Sequence, residues 1–417
     1  MNVIKGAAVI GQSGGPTSAI NATLAGVIRG VYGAGNDGSI ERLYGMRNGI
    51  EGLLAERLVD LGSVFAPEGK ADEEKLSILR QTPAAALGSC RKKLPDPAVD
   101  REFYESLIAI FKKYGIRYFF YIGGNDSMDT VAKLSKYLST SDYEMRCVGI
   151  PKTIDNDLAG TDHTPGFGSA AKYIATTVQE IVRDCAVYTV PAVTVVEVMG
   201  RDAGWLTASA ALANLINGQG PDLVYLPERS FSFDAFIEDL REVQSRKPNV
   251  VVAVSEGLRL DNGRYVGEGT QSGATDVFGH KYLQGTGKAL ELYIKEKIGC
   301  KVRSVELNLP QRCAAHIASL TDITESVETG EFAVRAAVAG STGVMVSSVR
   351  GDGNTYSVSF KTEEISGIAN AIRCVPDNYI NERGNGVTDE CLRYIYPLIQ
   401  GECKTVYKEG LPLHIII

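Results

Sequence analysis

The sequence predicts an α/β protein with two doubly wound, mostly parallel sheets, and three observations carry that expectation. Short apolar runs alternate with longer segments of helical period. The apolar runs stop abruptly in glycine and polar residues, and 417 residues at 44% hydrophobic content are enough to bury two sheets. In chain order the strand-then-helix pairs are GAAVIG with SAINATLAGVIRGVY, YFFYIGG with SMDTVAKLSKYL, RCVGIP with GSAAKYIATTVQEIV, and AVTVVEVMG with AGWLTASAALAN. PDLVYLP, NVVVAVSEG, KVRSVEL and TGVMVSS come next as further strands, with GKALELYIKEKIG helical between them. The Gly/Ser-rich stretch 261–287 has no clear period and is expected to be a mobile loop over a cleft.

Composition excludes several function classes. Lys plus Arg number 43 against 50 Asp plus Glu, a net charge of −7 with no basic block, so nucleic acid and membrane surfaces are poor partners. The eight cysteines form no C-x-x-C and have four histidines beside them, which predicts reduced thiols rather than a metal site. The apolar stretch near the N-terminus is too short for a signal segment, and no run reaches the ~18 apolar residues of a membrane helix; a cytoplasmic protein is expected.

In doubly wound sheets ligands gather at the carboxyl ends of the strands. Here those ends read GQSGGPTS, GGNDS, PKTIDND, MGRDAG, PERSF and SEG. Gly11, Gly14 and Gly15 allow close backbone approach, and a helix beginning near Thr17 would aim N–H groups at an oxyanion, although a tight structural turn explains the same residues. The spacing is neither G-x-G-x-x-G nor a Walker A motif, which argues against a nicotinamide dehydrogenase. Asn125, Asp126, Lys152, Thr153, Asp155 and Asp157 stand at two strand ends. Singly, each Asp reads as a helix cap. Together they can hold Mg²⁺ through oxygen, neutralise a phosphoryl group and supply a carboxylate base to a hydroxyl. Arg201, Glu256 and Arg312, on three further loops, suit a sugar phosphate, since arginine grips phosphate in a bidentate fashion.

Read together and in order, QSGG, ALGSCR, GGND, PKTIDND, VVEVMGR and PERS resemble the phosphofructokinase family, from residue 11 to about residue 312. The resemblance implies two Rossmann-like doubly wound domains with the active site in the cleft between them. A phosphoryl-donor domain would comprise residues 1–165 and about 314–372, and a fructose 6-phosphate domain about 166–313 and 373–417. Nucleotide users in the family carry glycines where this chain has Asp126 and Lys152, a pair similar to that of the pyrophosphate-dependent branch. The implied reaction is reversible phosphoryl transfer from Mg-pyrophosphate to the 1-hydroxyl of fructose 6-phosphate. By motif match Asp155 is the base, Lys152 offsets charge on the transferring phosphate, and Asp126 fills the place of a nucleotide α-phosphate. Gly15 and Arg91 would join Asp126 and Lys152 on pyrophosphate, and Thr153, Asp155, Met199, Gly200, Arg201, Glu256, Arg303 and Arg312 would take the sugar phosphate. Asn125 stands where the family often has a Mg²⁺-associated Asp; its carbonyl can coordinate directly or through water but adds no negative charge. The chain departs from the family pattern at Pro191 and Ala192, where a group reaching a neighbouring subunit is usual, at Leu309 in place of a His, and at Ala25, one half of an effector-binding arginine pair. A homodimer or homotetramer is implied. The alternatives are an ATP-dependent member and a non-catalytic sugar-phosphate sensor, and the intact TIDND argues against the second.

Overall fold

The computed structural model describes residues 4–216, 218–268, 285–353, 355–368 and 371–417; most of the loop expected to be mobile therefore lies outside the described residues. The strands in chain order are β1 (Gly6–Gln12), β2 (Ile40–Met46), β3 (Leu58–Asp60), β4 (Ile116–Gly123), β5 (Arg146–Pro151), β6 (Ala192–Val198), β7 (Leu223–Tyr225), β8 (Asn249–Ser255), β9 (Lys301–Glu306), β10 (Val344–Arg350) and β11 (Val358–Glu364). The first sheet has the order β11-β10-β5-β4-β1-β2-β3, with antiparallel strands at both edges and a parallel centre. The second, β7-β8-β6-β9, is parallel throughout.

Central strands with both faces covered read as continuous apolar runs, and NVVVAVS of β8 is buried at every position. Separate apolar clusters fill the two faces of the first sheet, one around Tyr104, Phe111 and Phe119 and one around Ile10, Leu24 and Phe120. The second sheet is likewise packed on both sides, around Trp205 and Phe167 on one and Phe236 and Leu240 on the other.

The chain leaves the first sheet after β5, builds the whole second sheet, and returns for β10 beside β5. The helix Asp389–Ile395 buries Cys391, Leu392, Tyr394 and Ile395 in the Trp205 cluster of the second sheet. The tail, expected with that second unit, runs back to the first. The Gln81 amide bonds the backbone of Val406 and Leu413, the Ile415 N–H donates to Thr82, and Ile415 and Ile417 pack against the cluster around Ile10.

Candidate active site

The carboxyl ends of β1, β4, β5, β6 and β8 open into one cleft of about 530 Å³ between the sheets. Glycine shapes its donor end. Gly14 has φ +74, and a Cβ there would meet Lys152 Nζ at 3.4 Å, while one on Gly15 would meet Arg312 Nη1 at 3.4 Å. Two cations thus converge on a bare backbone. The helix expected from near Thr17 begins at Ile20 instead, because residues up to Ala19 form a turn in which Thr17 Oγ1 accepts the Ala19 N–H at 3.2 Å. It is the glycine loop itself, rather than that helix end, that borders the cleft.

The second helix end is where expected: Asn125 opens the helix Asn125–Leu138, with Asp126 in its first turn. A carboxylate there suits the helix dipole. Asp126 also pairs with Lys93 at 3.0 Å, and both stay partly open to the cleft. Asn125 Oδ1 is buried with no hydrogen-bond partner among the described residues.

The PKTIDND loop forms the floor. Its geometry is fixed by backbone bonds from Lys152 N–H to Gly123 O at 2.9 Å and from Arg373 N–H to Asp157 O at 2.8 Å, and Thr153 Oγ1 accepts the Asp155 N–H at 3.1 Å. Lys152 is almost fully buried, its ammonium donating to the Gly15 carbonyl. Burial pulls its pKa down to about 8, against the support of Asp155 and Asp157, and Arg312 and Arg91 add to the depression. Asp155 moves the other way: desolvation first and then the neighbouring Asp157 push it up to about 7, although Lys152 and Arg201 oppose them. Asp157 is raised as well, chiefly by burial. Such a floor holds a carboxylate and an ammonium that both exchange protons near neutrality, the range a general base and an adaptable cation need.

Met199, Arg201, Glu256 and Arg312 complete the opposite wall. The buried Gln311 accepts the Met199 N–H at 3.1 Å, and Glu256 accepts the Gly200 N–H at 3.3 Å. Burial, followed by the nearby charges of Asp155 and Glu197, pushes Glu256 up to about 8. A protonated carboxyl of this kind can donate to a hydroxyl as well as accept.

Of the residues singled out in the sequence, the cleft brings together Gly15, Arg91, Asn125, Asp126, Lys152, Thr153, Asp155, Met199, Arg201, Glu256 and Arg312. Gly200 lies just behind, bonded to Glu256. Arg303 is not with them. It sits mid-strand opposite Thr194 on the exposed edge strand β9, beside Lys301 and Tyr188, away from the strand ends that make the cleft. Sequence reasoning missed Lys92, Lys93 and Asp202, which line the cleft, and Gln311, which props Met199. The run SCRKK after a glycine turn was the available signal for the two lysines.

Known proteins give the same picture. The phosphofructokinase family matches residues 7–337. A pyrophosphate–fructose 6-phosphate 1-phosphotransferase of Halomonas elongata is 40% identical over 405 residues, covering 96% of this chain and 93% of that protein. A sulfofructose kinase of Alkalicoccus urumqiensis is 32% identical, covering 90% of this chain and 92% of its own. The crystal structure of a pyrophosphate-dependent phosphofructokinase from Nitrosospira multiformis superposes with a TM-score of 0.86 at 38% identity, over 98% of this chain and 95% of that one. Because the matched span takes in the whole set of strand-end loops from Gly11 to Arg312 at near-complete coverage, the chain belongs to the phosphofructokinase family.

Proposed function

We propose that the protein transfers a phosphoryl group reversibly between pyrophosphate and the 1-hydroxyl of fructose 6-phosphate. The observation that carries this reading is the donor end of the cleft, where Asp126 is paired with Lys93 and the buried Lys152 stands over the Gly14–Gly15 backbone. Pyrophosphate presents only two phosphates, and this end supplies cations for two, Arg91 and Lys93 at the mouth and Lys152 at the floor. A nucleotide would bring its α-phosphate against the Asp126 carboxylate, a repulsion that selects against it. The names of the relatives from Halomonas and Nitrosospira agree with this donor.

In the forward direction Asp155 takes the proton of the 1-hydroxyl as that oxygen attacks the near phosphorus, and phosphate leaves. Lys152 balances the charge that develops on the transferring group, from a position only 3% exposed. Arg201 and Arg312 orient the sugar phosphate, and Glu256 holds a sugar hydroxyl. In reverse Asp155 returns the proton, with inorganic phosphate as substrate. The buried Oδ1 of Asn125, without a partner among the described residues, fits Mg²⁺, a hard cation that accepts one or two protein oxygens and fills its remaining positions with phosphate oxygens and water. Bound there, Mg²⁺ would neutralise phosphate charge.

Outside the cleft, Val187, Tyr188 and Val190 are more than half exposed beside β9. We propose that this apolar face joins copies into a homodimer or homotetramer. Arg303 stands on it and can serve only a partner's cleft. All eight cysteines are free, and no helix among the described residues is long and apolar enough to cross a membrane; the cytoplasm remains the proposed compartment.

The test mixes the purified protein, Mg²⁺ and fructose 6-phosphate with pyrophosphate in one tube and ATP in another, and monitors fructose 1,6-bisphosphate. Turnover with pyrophosphate alone is expected; turnover with ATP alone would overturn the donor assignment. Sulfofructose offered in place of fructose 6-phosphate tests the acceptor, and a preference for it would move the chain toward its Alkalicoccus relative.

A further inference from the structure

Between the two cleft carboxylates lies Asn156, fully buried with a left-handed φ of +55. Glycine would make that turn more cheaply, as it does at Gly14 and Gly166. The amide instead supplies two anchors. Its Oδ1 accepts the Thr164 N–H at 3.1 Å, and its Nδ2 donates to the Tyr394 hydroxyl at 3.0 Å.

Tyr394 reaches the loop from 238 residues away in sequence. Its hydroxyl donates to the Asp162 carbonyl at 2.6 Å and accepts from Arg373 Nη2 at 3.1 Å as well as from Asn156, which uses its one hydrogen and both lone pairs. Arg373 holds the loop a second time, since its own N–H donates to the Asp157 carbonyl at 2.8 Å. The phenol ring cannot swing, because the Arg350 and Arg373 guanidinium groups lie 4.5 and 5.3 Å from its centre and Trp205 packs at 5.1 Å. One hydroxyl therefore ties Asn156 within the turn, Asp162 after it and Arg373, which holds Asp157, to a single rigid point.

We infer that Tyr394 is a positioning residue for phosphoryl transfer, its hydroxyl fixing Asn156 and Arg373 and through them the reach of Asp155 and Asp157 into the cleft. This rests on the reading of Asp155 as the base. Misplacing a reacting group by about 1 Å can cost as much as 10²-fold, so Tyr394→Phe should lower kcat by about 10- to 100-fold. KM for both substrates should stay within about threefold, since neither touches Tyr394, which is absent from the cleft lining.

The experiment compares full-length Tyr394→Phe, Asn156→Gly and Tyr356→Phe with the parent protein. Asn156→Gly keeps the left-handed turn and removes both anchors, so it should reproduce Tyr394→Phe and carries the test if that variant fails to fold. Tyr356→Phe removes a hydroxyl that bonds Glu325 at the far end of the same buried network, and should leave kcat within about twofold. In Tyr394→Phe and Asn156→Gly the acid limb of the kcat profile should move to lower pH as Asp155 opens to water. Unchanged kcat in Asn156→Gly, an equal loss in Tyr356→Phe, or a loss of kcat with the acid limb unmoved would each overturn the inference. If the parent protein shows no phosphoryl transfer, the function reading fails separately. A ¹³C titration of the aspartate carboxyls still decides the positioning role: the raised titration should shift down in Asn156→Gly, and an unshifted one would overturn it.

Discussion

Lys152 and Asp155 titrate within reach of each other, and the signs of their shifts fix a pH profile. Asp155, raised to about 7, must lose its proton to act as base, so activity should rise as pH passes about 7. Lys152, lowered to about 8, must keep its proton to offset phosphate charge, so activity should fall above about 8. A narrow bell in kcat is the expected measurement. Replacing Lys152 by Ala should cost about 10²–10³ in rate, or about 2.7–4 kcal/mol, by analogy with loss of one oxyanion donor. It should also remove the alkaline limb and move the acid limb upward, since the lysine charge lowers the Asp155 pKa. A loss of about tenfold or less, with the bell intact, would show Lys152 to be peripheral. These residues were legible in the sequence because a parallel sheet gathers the loops at its strand ends along one edge. Lys93 was not, because its part depends on an ion pair with Asp126 across the cleft, and a lysine run reads equally well as solvated surface. Arg303 stands apart from the cleft of its own chain for the opposite reason. Its motif neighbours are at strand ends, but Arg303 itself is mid-strand and faces outward.

The helices Ile20–Val31 and Leu320–Val338 meet backbone to backbone. A Cβ on Gly26 would lie 2.0 Å from the Val327 carbonyl oxygen, and one on Gly330 would lie 2.3 Å from that of Thr23. Neither neighbour is a side chain that can turn aside. Gly26→Ala must separate the helices, at a cost of about 1–3 kcal/mol for overpacking. Its urea midpoint should fall with the slope unchanged, whereas Gly367→Ala, which meets nothing within 4 Å, should stay within about 0.5 kcal/mol of the parent. Equal midpoints for the two variants would mean that the helix pair yields freely. The helical periods were plain in sequence, but this contact was not, because the glycines lie about 300 residues apart and each alone reads as a weak helix former. Strands with a charged or exposed face were also hidden. β2 carries Glu41 and Arg42 outward, and the edge strand β11 alternates half-buried and exposed positions, so neither offers the continuous apolar run that marked the central strands.

At the scale of the molecule, sequence periodicity was enough to announce two parallel sheets, yet strand order and the path of the tail come from packing that no local pattern encodes. The return of β10 to the side of β5 brings Arg350 onto Asp162, and the helix Leu320–Val338 brings Glu325 to the same place. His163 is buried between these elements, its Nδ1 bonded to Asp162 at 2.7 Å and its Nε2 to Glu325 at 2.6 Å. Burial alone would lower its pKa, but the two carboxylates overcome it and raise the imidazolium to about 9. Behind this pair Arg350 bonds Asp162 and Tyr356 bonds Glu325. A pKa raised on folding adds stability that is complete below the unfolded value of about 6.5 and is lost as pH rises through the folded one. The shift from 6.5 to about 9 corresponds to about 3 kcal/mol. Other groups titrate in the same window, among them Lys152, Asp155 and Glu256, so the informative quantity is the difference between two proteins. Glutamine cannot become an imidazolium, and the stability advantage of the parent over His163→Gln should therefore shrink by about 3 kcal/mol between pH 6 and about 10. Urea unfolding at a series of pH values measures it. An advantage that stays constant across that range would mean that His163 is buried neutral, and that the fold is joined at this point by hydrogen bonds without the charge.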